Sequence, residues 1–209
     1  PSKVSDYTID KLSQDVIDIA NEFNIDRFHL VGHDWGSAVG WYIVSKYSDR
    51  IITWSALSVP HLDAFVYSMR NDKTQKKKSE YIKFFNKPII PEIYFKIFSY
   101  RNLRKIWRKS SESEIISYLE TFKQRRAIKS ALNWYRANFK KNDKSVIGDI
   151  FIPTLIIYGI NDMAIDVISV DNSEKFLKGR YRIEKLNSGH WLIQESFKEV
   201  SKSIIEHIN

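Results

Sequence analysis

One short segment of this sequence places an ionisable side chain between two glycines: Gly32-His33-Asp34-Trp35-Gly36. An apolar run over residues 28–31 precedes it, and apolar residues at helical spacing follow it. This pattern predicts a strand, a sharp turn and a helix, with the Asp34 carboxylate raised above the end of the strand. A Cβ at Gly32 or Gly36 is expected to crowd the helix or the neighbouring strand. A carboxylate held in this way can act as a nucleophile, although aspartate also occurs in ordinary turns.

An aspartate nucleophile favours one kind of reaction. Its attack on an sp³ carbon that bears a leaving group gives an alkyl ester, which water can cleave at the carbonyl, whereas a serine would give a stable ether. Turnover then requires a base that activates the water and an acid that holds the base in the correct tautomer. The chain must therefore supply a histidine and a second carboxylate near Asp34.

Two residues further along the chain fit these roles. His190 lies in the polar loop Asn187-Ser188-Gly189-His190-Trp191, directly after the last predicted strand, whereas the other four histidines each suit a structural or surface role. Asp162 follows the strand predicted over residues 154–159, on the carboxyl side of a parallel sheet, where such folds assemble their sites. Asp166 is the competing acid, but its position favours a cap of the next helix.

The turn and the order of these residues resemble the α/β-hydrolase family, and within it the epoxide hydrolases and haloalkane dehalogenases, whose turn commonly reads Gly-His-Asp-Trp-Gly. The chain order of nucleophile, acid and histidine matches that of the family. The resemblance implies Asp34 as nucleophile, Asp162 as orienting acid, His190 as base and the Trp35 backbone N–H as one oxyanion donor.

The same resemblance implies an N-terminal part that this sequence does not match. In the family, several strands and a His-Gly-x-Pro loop precede the helix that begins here near Tyr7, and that loop supplies a second oxyanion donor. We therefore expect a chain that lacks the N-terminal strands of the fold, and an exposed sheet edge through which oligomers could form.

The elements that would position the site alternate between strand and helix, as a parallel sheet requires. Strands are predicted over residues 28–31, 51–59, 154–159 and 181–186. Residues 62–148 show helical patterns only. The sequence thus predicts an α/β-hydrolase fold whose core comprises residues 1–61 and 149–209, with an inserted helical cap over residues 62–148. In the first helix, the spacing of apolar residues predicts a buried face: Leu12, Val16, Ile19, Ala20 and Phe23.

The predicted cap contains two tyrosines that suit epoxide opening. An epoxide expels an alkoxide, so the site needs a proton or hydrogen-bond donor, and a phenol with a pKa of about 10 can serve. Tyr81 and Tyr135 lie in segments that resemble those carrying the paired cap tyrosines of epoxide hydrolases. Alternatively, both are helix-packing aromatics. Trp134 and Trp107 could instead offer indole N–H donors to a halide, so haloalkane dehalogenation remains an alternative function.

Composition restricts the class of protein further. The 209 residues include no cysteine, so disulfides and thiolate metal sites are excluded, and a reducing compartment such as the cytoplasm is the default. Residues 62–148 hold 21 Lys and Arg against 8 Asp and Glu, a net +13, while the rest of the chain is net −5. Basic runs such as residues 73–78 are expected to be solvated faces, with steering of an anionic substrate or loose membrane association as the less favoured alternatives. Nothing in the sequence resembles a membrane span or a nucleic-acid motif. Membrane association is therefore not the expected role of the chain.

These observations predict an epoxide hydrolase-like enzyme that needs neither metal nor cofactor and acts on a small epoxide or halide. Haloalkane dehalogenation is the nearest alternative. A catalytically silent family member, which acts by binding a partner through its sheet edge or basic cap, is the second alternative. Tyr81 and Tyr135 distinguish the first two functions, because halide release needs no proton.

Overall fold

The strands form one parallel sheet. In the computed structural model of the chain, which describes residues 1–139 and 147–209, four strands pair side by side in chain order. They are β1 (Phe28–His33), β2 (Ile51–Leu57), β3 (Thr154–Gly159) and β4 (Tyr181–Leu186). Every pairing is parallel, which confirms the predicted α/β arrangement.

The α-helices lie before, between and after these strands in the chain. In chain order they are α1 (Ile9–Glu22), α2 (Trp35–Lys46), α3 (Leu62–Asn71), α4 (Lys73–Lys78), α5 (Glu80–Phe85), α6 (Ile90–Arg104), α7 (Glu112–Lys123), α8 (Ala127–Asn138), α9 (Val167–Asp171), α10 (Leu192–Glu195) and α11 (Phe197–Ile208). Short 3₁₀ helices cover Val4–Tyr7, Ser48–Arg50, Lys105–Trp107 and Asn172–Phe176.

The described residues divide into two compact units. The first, called here the sheet unit, comprises residues 9–79 and 147–209 and contains the whole described sheet. The second, the helical unit, comprises residues 1–8 and 80–139 and contains α5 to α8.

The bounds of the helical unit differ from those predicted for the cap. The predicted cap begins at residue 62, but α3 and α4 belong to the sheet unit, because α3 packs against α9 and the 3₁₀ helix Asn172–Phe176. Residues 1–8, which the sequence places in the core, belong to the helical unit, where the Tyr7 hydroxyl hydrogen-bonds to that of Ser130 at 2.9 Å. That the helical unit acts as a cap stays a prediction.

The two central strands are buried on both faces. In β3 all residues are buried, and in β2 all except Ile52, which explains why both strands are mainly apolar. The register pairs His33 of β1 with Leu57 of β2, and Leu57 with Ile157 of β3. The carboxyl ends of these strands therefore lie at one edge of the sheet, from which the loops that carry the site begin.

The buried face of α1 differs from the one that apolar spacing predicts. Ala20 is buried, but Ile19 is 60% exposed and Phe23 71% exposed. The other buried residues of this helix are Ser13 and Ile17. α1 packs against α2, and small side chains let two helices approach closely. The buried face therefore includes Ser13 and excludes Ile19 and Phe23, which the spacing of apolar residues had predicted to be buried.

In the described part of the chain, β1 lies at an edge of the sheet. It pairs with β2, and its Val31 side chain is 46% exposed. An edge of this kind offers unpaired backbone groups to another chain. Oligomer formation through it stays a prediction.

Candidate active site

The turn after β1 holds Asp34 in a backbone conformation that is rare for residues with a side chain. Its φ is 52° and its ψ is −121°, and α2 begins at the next residue. A Cβ at Gly32 would lie 2.5 Å from the Gly36 carbonyl oxygen, so the turn requires glycine there. The prediction that a Cβ at Gly36 would be crowded is wrong, since it would meet nothing within 4 Å. Gly40 carries that constraint instead, because its Cβ would lie 2.0 Å from the Trp54 ring.

Asp34, His190 and Asp162 form one hydrogen-bonded chain. The Nδ1 atom of His190 lies 2.8 Å from Oδ2 of Asp162, and its Nε2 atom lies 3.2 Å from Oδ1 of Asp34. The Asp162 side chain is fully buried and that of His190 is 8% exposed, whereas that of Asp34 is 36% exposed. The structure thus brings together the three residues that the sequence selects. Asp34, which lies on the turn between β1 and α2 that we call the elbow, is the most accessible of them.

The two carboxylates control the charge of the imidazole between them. Burial by itself lowers the pKa of His190, but its hydrogen bonds to Asp162 and Asp34 and their negative charges outweigh burial and raise the pKa to about 10. Burial raises the pKa of Asp34, yet the hydrogen bond and positive charge of His190 prevail and lower it overall. These contacts therefore favour an imidazolium beside an ionised Asp34.

Replacing Asp34 by Asn is expected to lower the pKa of His190 well below the value of about 10, because the amide removes one of the two carboxylates that favour the imidazolium. Since folding raises this pKa, the ion pair stabilises the fold fully below the unfolded histidine pKa of about 6.5, and this stability is lost as pH rises towards about 10. The melting temperature should fall across this window, and fall less in the Asp34→Asn variant.

A histidine C–H NMR titration measures this pKa directly, with the His190→Gln variant used to assign the signal. Asp15→Asn is the matched control, because Asp15 is an exposed carboxylate of α1. An unchanged His190 pKa in Asp34→Asn would show that Asp34 does not control the charge of the imidazole.

Three contacts that the sequence did not predict hold the loop that carries His190. The backbone carbonyl of His190 accepts hydrogen bonds from the Ser58 hydroxyl and from Nε2–H of His33, both at 2.8 Å. Burial lowers the pKa of His33, which keeps its ring neutral and able to donate from one nitrogen. On the other side, the Glu195 carboxylate accepts the Gly189 N–H at 3.1 Å. Ser58 is fully buried at a positive φ of 68°, a strained backbone of the kind found at functional sites.

The loop that carries Asp162 is held by α4. Oδ1 of Asp162 accepts the backbone N–H groups of Ala164 and Ile165, at 2.7 and 3.0 Å. The Lys78 ammonium donates to the backbone carbonyls of Asp162 and Ile165 at 2.9 and 2.7 Å, and it lies 3.3 Å from a carboxylate oxygen of Asp166. Asp166 itself accepts the Ile168 N–H and caps α9, as the sequence predicted.

The basic run over residues 73–78 is therefore only partly a solvated face. Lys73, Lys76 and Lys77 are exposed, in agreement with that expectation. Gln75 is fully buried instead, and its side chain donates to the Ala164 carbonyl at 2.9 Å and accepts the Asp166 N–H at 2.7 Å. Charge patterning cannot distinguish a lysine that packs against a loop from one that faces water.

The two tyrosines selected from the sequence lie together in the helical unit. The ring centroids of Tyr81 and Tyr135 are 6.0 Å apart, and the Phe85 ring lies 5.2 Å from the first and 4.9 Å from the second. The resemblance to paired cap tyrosines implied this proximity, which the separation of 54 positions does not show by itself. Trp107, the alternative indole donor, is 8% exposed and packs against Tyr118 in the same unit.

Two kinds of feature are absent from residues 1–139 and 147–209. Within these residues, no group of histidines and carboxylates could hold a metal ion. No helix of the same residues combines the length and the apolar character needed to cross a membrane.

Comparison with known proteins identifies a family and a fold. The sequence profile of the alpha/beta hydrolase fold matches residues 1–197. "Epoxide hydrolase 3" of Xenopus tropicalis is 28% identical over 98% of this chain and 59% of its own length. "AB hydrolase superfamily protein YfhM" of Bacillus subtilis is 27% identical over 100% of this chain and 75% of its own length. This chain therefore spans less than two thirds of the first of these relatives.

Solved structures show the same likeness. A Bacillus megaterium epoxide hydrolase in complex with an inhibitor superposes with a TM-score of 0.91 at 25% identity, over 100% of this chain and 78% of that one. An epoxide hydrolase from metagenomes of hot environments superposes with a TM-score of 0.87 at 23% identity, over 100% of this chain and 76% of that one. At such low identity the second likeness concerns the fold.

Proposed function

We propose that this chain, which belongs to the α/β-hydrolase fold family, converts epoxides into vicinal diols through an ester formed on Asp34. One observation carries the proposal: an aspartate, where many hydrolases have serine, lies at the elbow within 3.2 Å of a histidine that a buried carboxylate holds at 2.8 Å. The epoxide hydrolases among its relatives support the same assignment.

In the first step, the Asp34 carboxylate attacks a ring carbon of the epoxide and breaks the C–O bond. The electron pair goes to the epoxide oxygen, which takes a proton from Tyr81 or Tyr135. The products are an alkyl ester on Asp34, a hydroxyl on the neighbouring carbon and a phenolate. The imidazolium of His190 favours this step because it keeps the nucleophile ionised.

Formation of the ester prepares the base for the second step. Once Asp34 is a neutral ester, one of the two carboxylates that raise the pKa of His190 is lost, so the imidazolium can release its proton, which returns to the phenolate. Neutral His190 then accepts a proton from water, and the hydroxide attacks the ester carbonyl. Collapse breaks the bond to the alkoxide, which takes the proton of the new carboxylic acid, and the resting charges of Asp34 and His190 are restored.

Trp35 supports the second step in this scheme. Its backbone N–H hydrogen-bonds to the Asp34 carboxylate and helps to lower the pKa of that group. The negative charge of the tetrahedral intermediate develops on this same carboxyl group. We therefore assign the Trp35 N–H as an oxyanion donor, a kind of contact worth about 10²–10³ in rate where one donor has been removed.

Heavy-oxygen water tests the proposed ester. With the chain in excess over an aryl epoxide, the first turnover should yield a diol without heavy oxygen, because its new hydroxyl comes from Asp34. The label should appear in the peptide that contains Asp34, which peptide mass spectrometry detects. Heavy oxygen in the diol of the first turnover would instead show direct attack of water, and would exclude the ester.

A further inference from the structure

One face of the first half of α6 is apolar and exposed to solvent. Ile90, Ile93 and Tyr94 recur at the spacing of one helix face. Ile97 continues the pattern at the point where the helix breaks, because residues 97–100 have non-helical backbone angles. These four residues are 54%, 54%, 42% and 39% exposed, and the neighbouring Ile89 and Phe98 are 68% and 77% exposed. We call these six residues the α6 stripe. Exposed apolar side chains are common singly, but contiguous groups mark interaction surfaces.

The opposite face fixes α6 to the helical unit. Pro91 and Phe95 are buried there, and the Phe95 ring packs against that of Phe85 at 5.5 Å. Glu92 forms two hydrogen bonds with the Arg136 guanidinium of α8, at 2.7 and 2.9 Å. The helix is thus anchored through one side, and the α6 stripe is held outward on the other.

The surroundings of the α6 stripe are strongly basic. Residues 81–111 contain eight Lys and Arg and one acidic residue, Glu92, which is paired with Arg136. Of the eight, Arg104 is paired with Glu112, directly after the segment. Lys83, Lys87 and Lys96 are exposed within or next to the stripe. An apolar surface rimmed by cations matches an anionic bilayer in both respects, since acyl chains take up the apolar side chains and anionic headgroups attract the lysines.

We propose that the α6 stripe docks the chain on the surface of membranes that contain anionic phospholipid. Docking of a second copy is less favourable, because it would bring two segments of net +7 together. From the sequence, loose membrane association is only a less favoured alternative, since a helical pattern alone does not show which apolar face is covered. The proposal is independent of the proposed function, because binding is measured without an epoxide.

Vesicle sedimentation tests the docking directly. The chain should sediment with vesicles of phosphatidylcholine and phosphatidylserine and remain in the supernatant with phosphatidylcholine alone. Added salt should weaken binding, because it screens the lysines. Failure to sediment with the anionic vesicles at low salt would overturn the proposal.

Matched variants separate the stripe from general charge attraction. Ile90→Ser with Ile93→Ser should weaken binding by about tenfold or more, since partial insertion of an isoleucine contributes part of its burial energy. Ile116→Ser is the control, because Ile116 is 48% exposed on α7 of the same unit but outside the stripe. Equal binding of the stripe variant and the control would overturn the proposal.

Charge variants are matched in the same way. Neutralising Lys83, Lys87 and Lys96 with glutamine should weaken binding by about a hundredfold, since each cation near an anionic surface contributes about fivefold. The control neutralises Lys73, Lys76 and Lys77 of α4, which are also exposed. Equal losses in the two triple variants would show attraction by net charge without a defined docking surface.

The absence of cysteine from the sequence permits a site-specific reporter. An environment-sensitive fluorophore on Ile93→Cys should brighten on anionic vesicles, whereas the same label on Ile116→Cys should not. If the label on residue 93 instead brightens with protein concentration in the absence of lipid, the α6 stripe is a contact between copies of this chain and the proposal is wrong.

Discussion

His190→Gln is expected to leave the chain permanently alkylated after exposure to an aryl epoxide. Without His190, burial is no longer outweighed and raises the pKa of Asp34, which slows attack on the epoxide. Attack still proceeds through the ionised fraction, because the side chain is 36% exposed to solvent. Glutamine cannot accept a proton from water, so the ester is not hydrolysed and hydrolytic turnover should be lost. Intact-protein mass spectrometry should show one added substrate molecule per chain.

Two variants make this result specific. His29→Gln should turn over without accumulating an adduct, because His29 hydrogen-bonds to Thr53 at 2.9 Å and is not part of the chain of contacts around His190. Adding Asp34→Asn to His190→Gln should abolish the adduct. An adduct that persists in this double variant, or none in His190→Gln, would contradict the assignment of Asp34 as nucleophile.

Replacing both Tyr81 and Tyr135 by Phe is expected to slow epoxide opening by a factor of about 10² or more. Phenylalanine keeps the ring packing with Phe85 but removes both phenol donors, and loss of general-acid assistance has this magnitude. Steady-state diol formation from an aryl epoxide measures the effect. Release of halide from an alkyl halide should fall much less, because a halide leaves without a proton.

A second pair of tyrosines from the helical unit provides the control. Tyr94→Phe with Tyr118→Phe removes two phenols from α6 and α7 and should leave epoxide turnover within a few-fold of the native chain. Retained turnover in the Tyr81 and Tyr135 variant, or an equal loss on both kinds of substrate, would remove these tyrosines from the mechanism. If turnover of both kinds of substrate fell equally, the choice between epoxide hydrolysis and dehalogenation would have to be made from the rates measured with each substrate.

The sequence determined the features of this protein that depend on neighbouring residues. The mainly apolar segments of β2 and β3 predicted buried strands, because a strand covered on both faces carries few polar side chains. The glycines around Asp34 predicted the turn, since local backbone geometry limits which residues fit. The positions of Asp162 and His190 directly after strands placed both at the carboxyl edge of the sheet.

Contacts between distant segments were decided by the tertiary structure. The sequence did not reveal that Ser58 and His33 hold the carbonyl of His190, or that Lys78 holds the loop of Asp162, because each pair is separated by at least 84 positions. A serine and a lysine have many ordinary surface uses. Their function in the fold depends on which loop lies beside them.

Burial was likewise decided by packing. Spacing of apolar residues shows that a helix has an apolar face, but which residues are covered depends on the neighbouring elements. Phe23, directly after α1, and Ile93 of α6 remain exposed although both fit helical patterns, while the polar Ser13 and Gln75 are fully buried. Local residue order therefore specified the elbow and the strands, whereas the supports of the site and its exposed surfaces arose only when distant segments packed together.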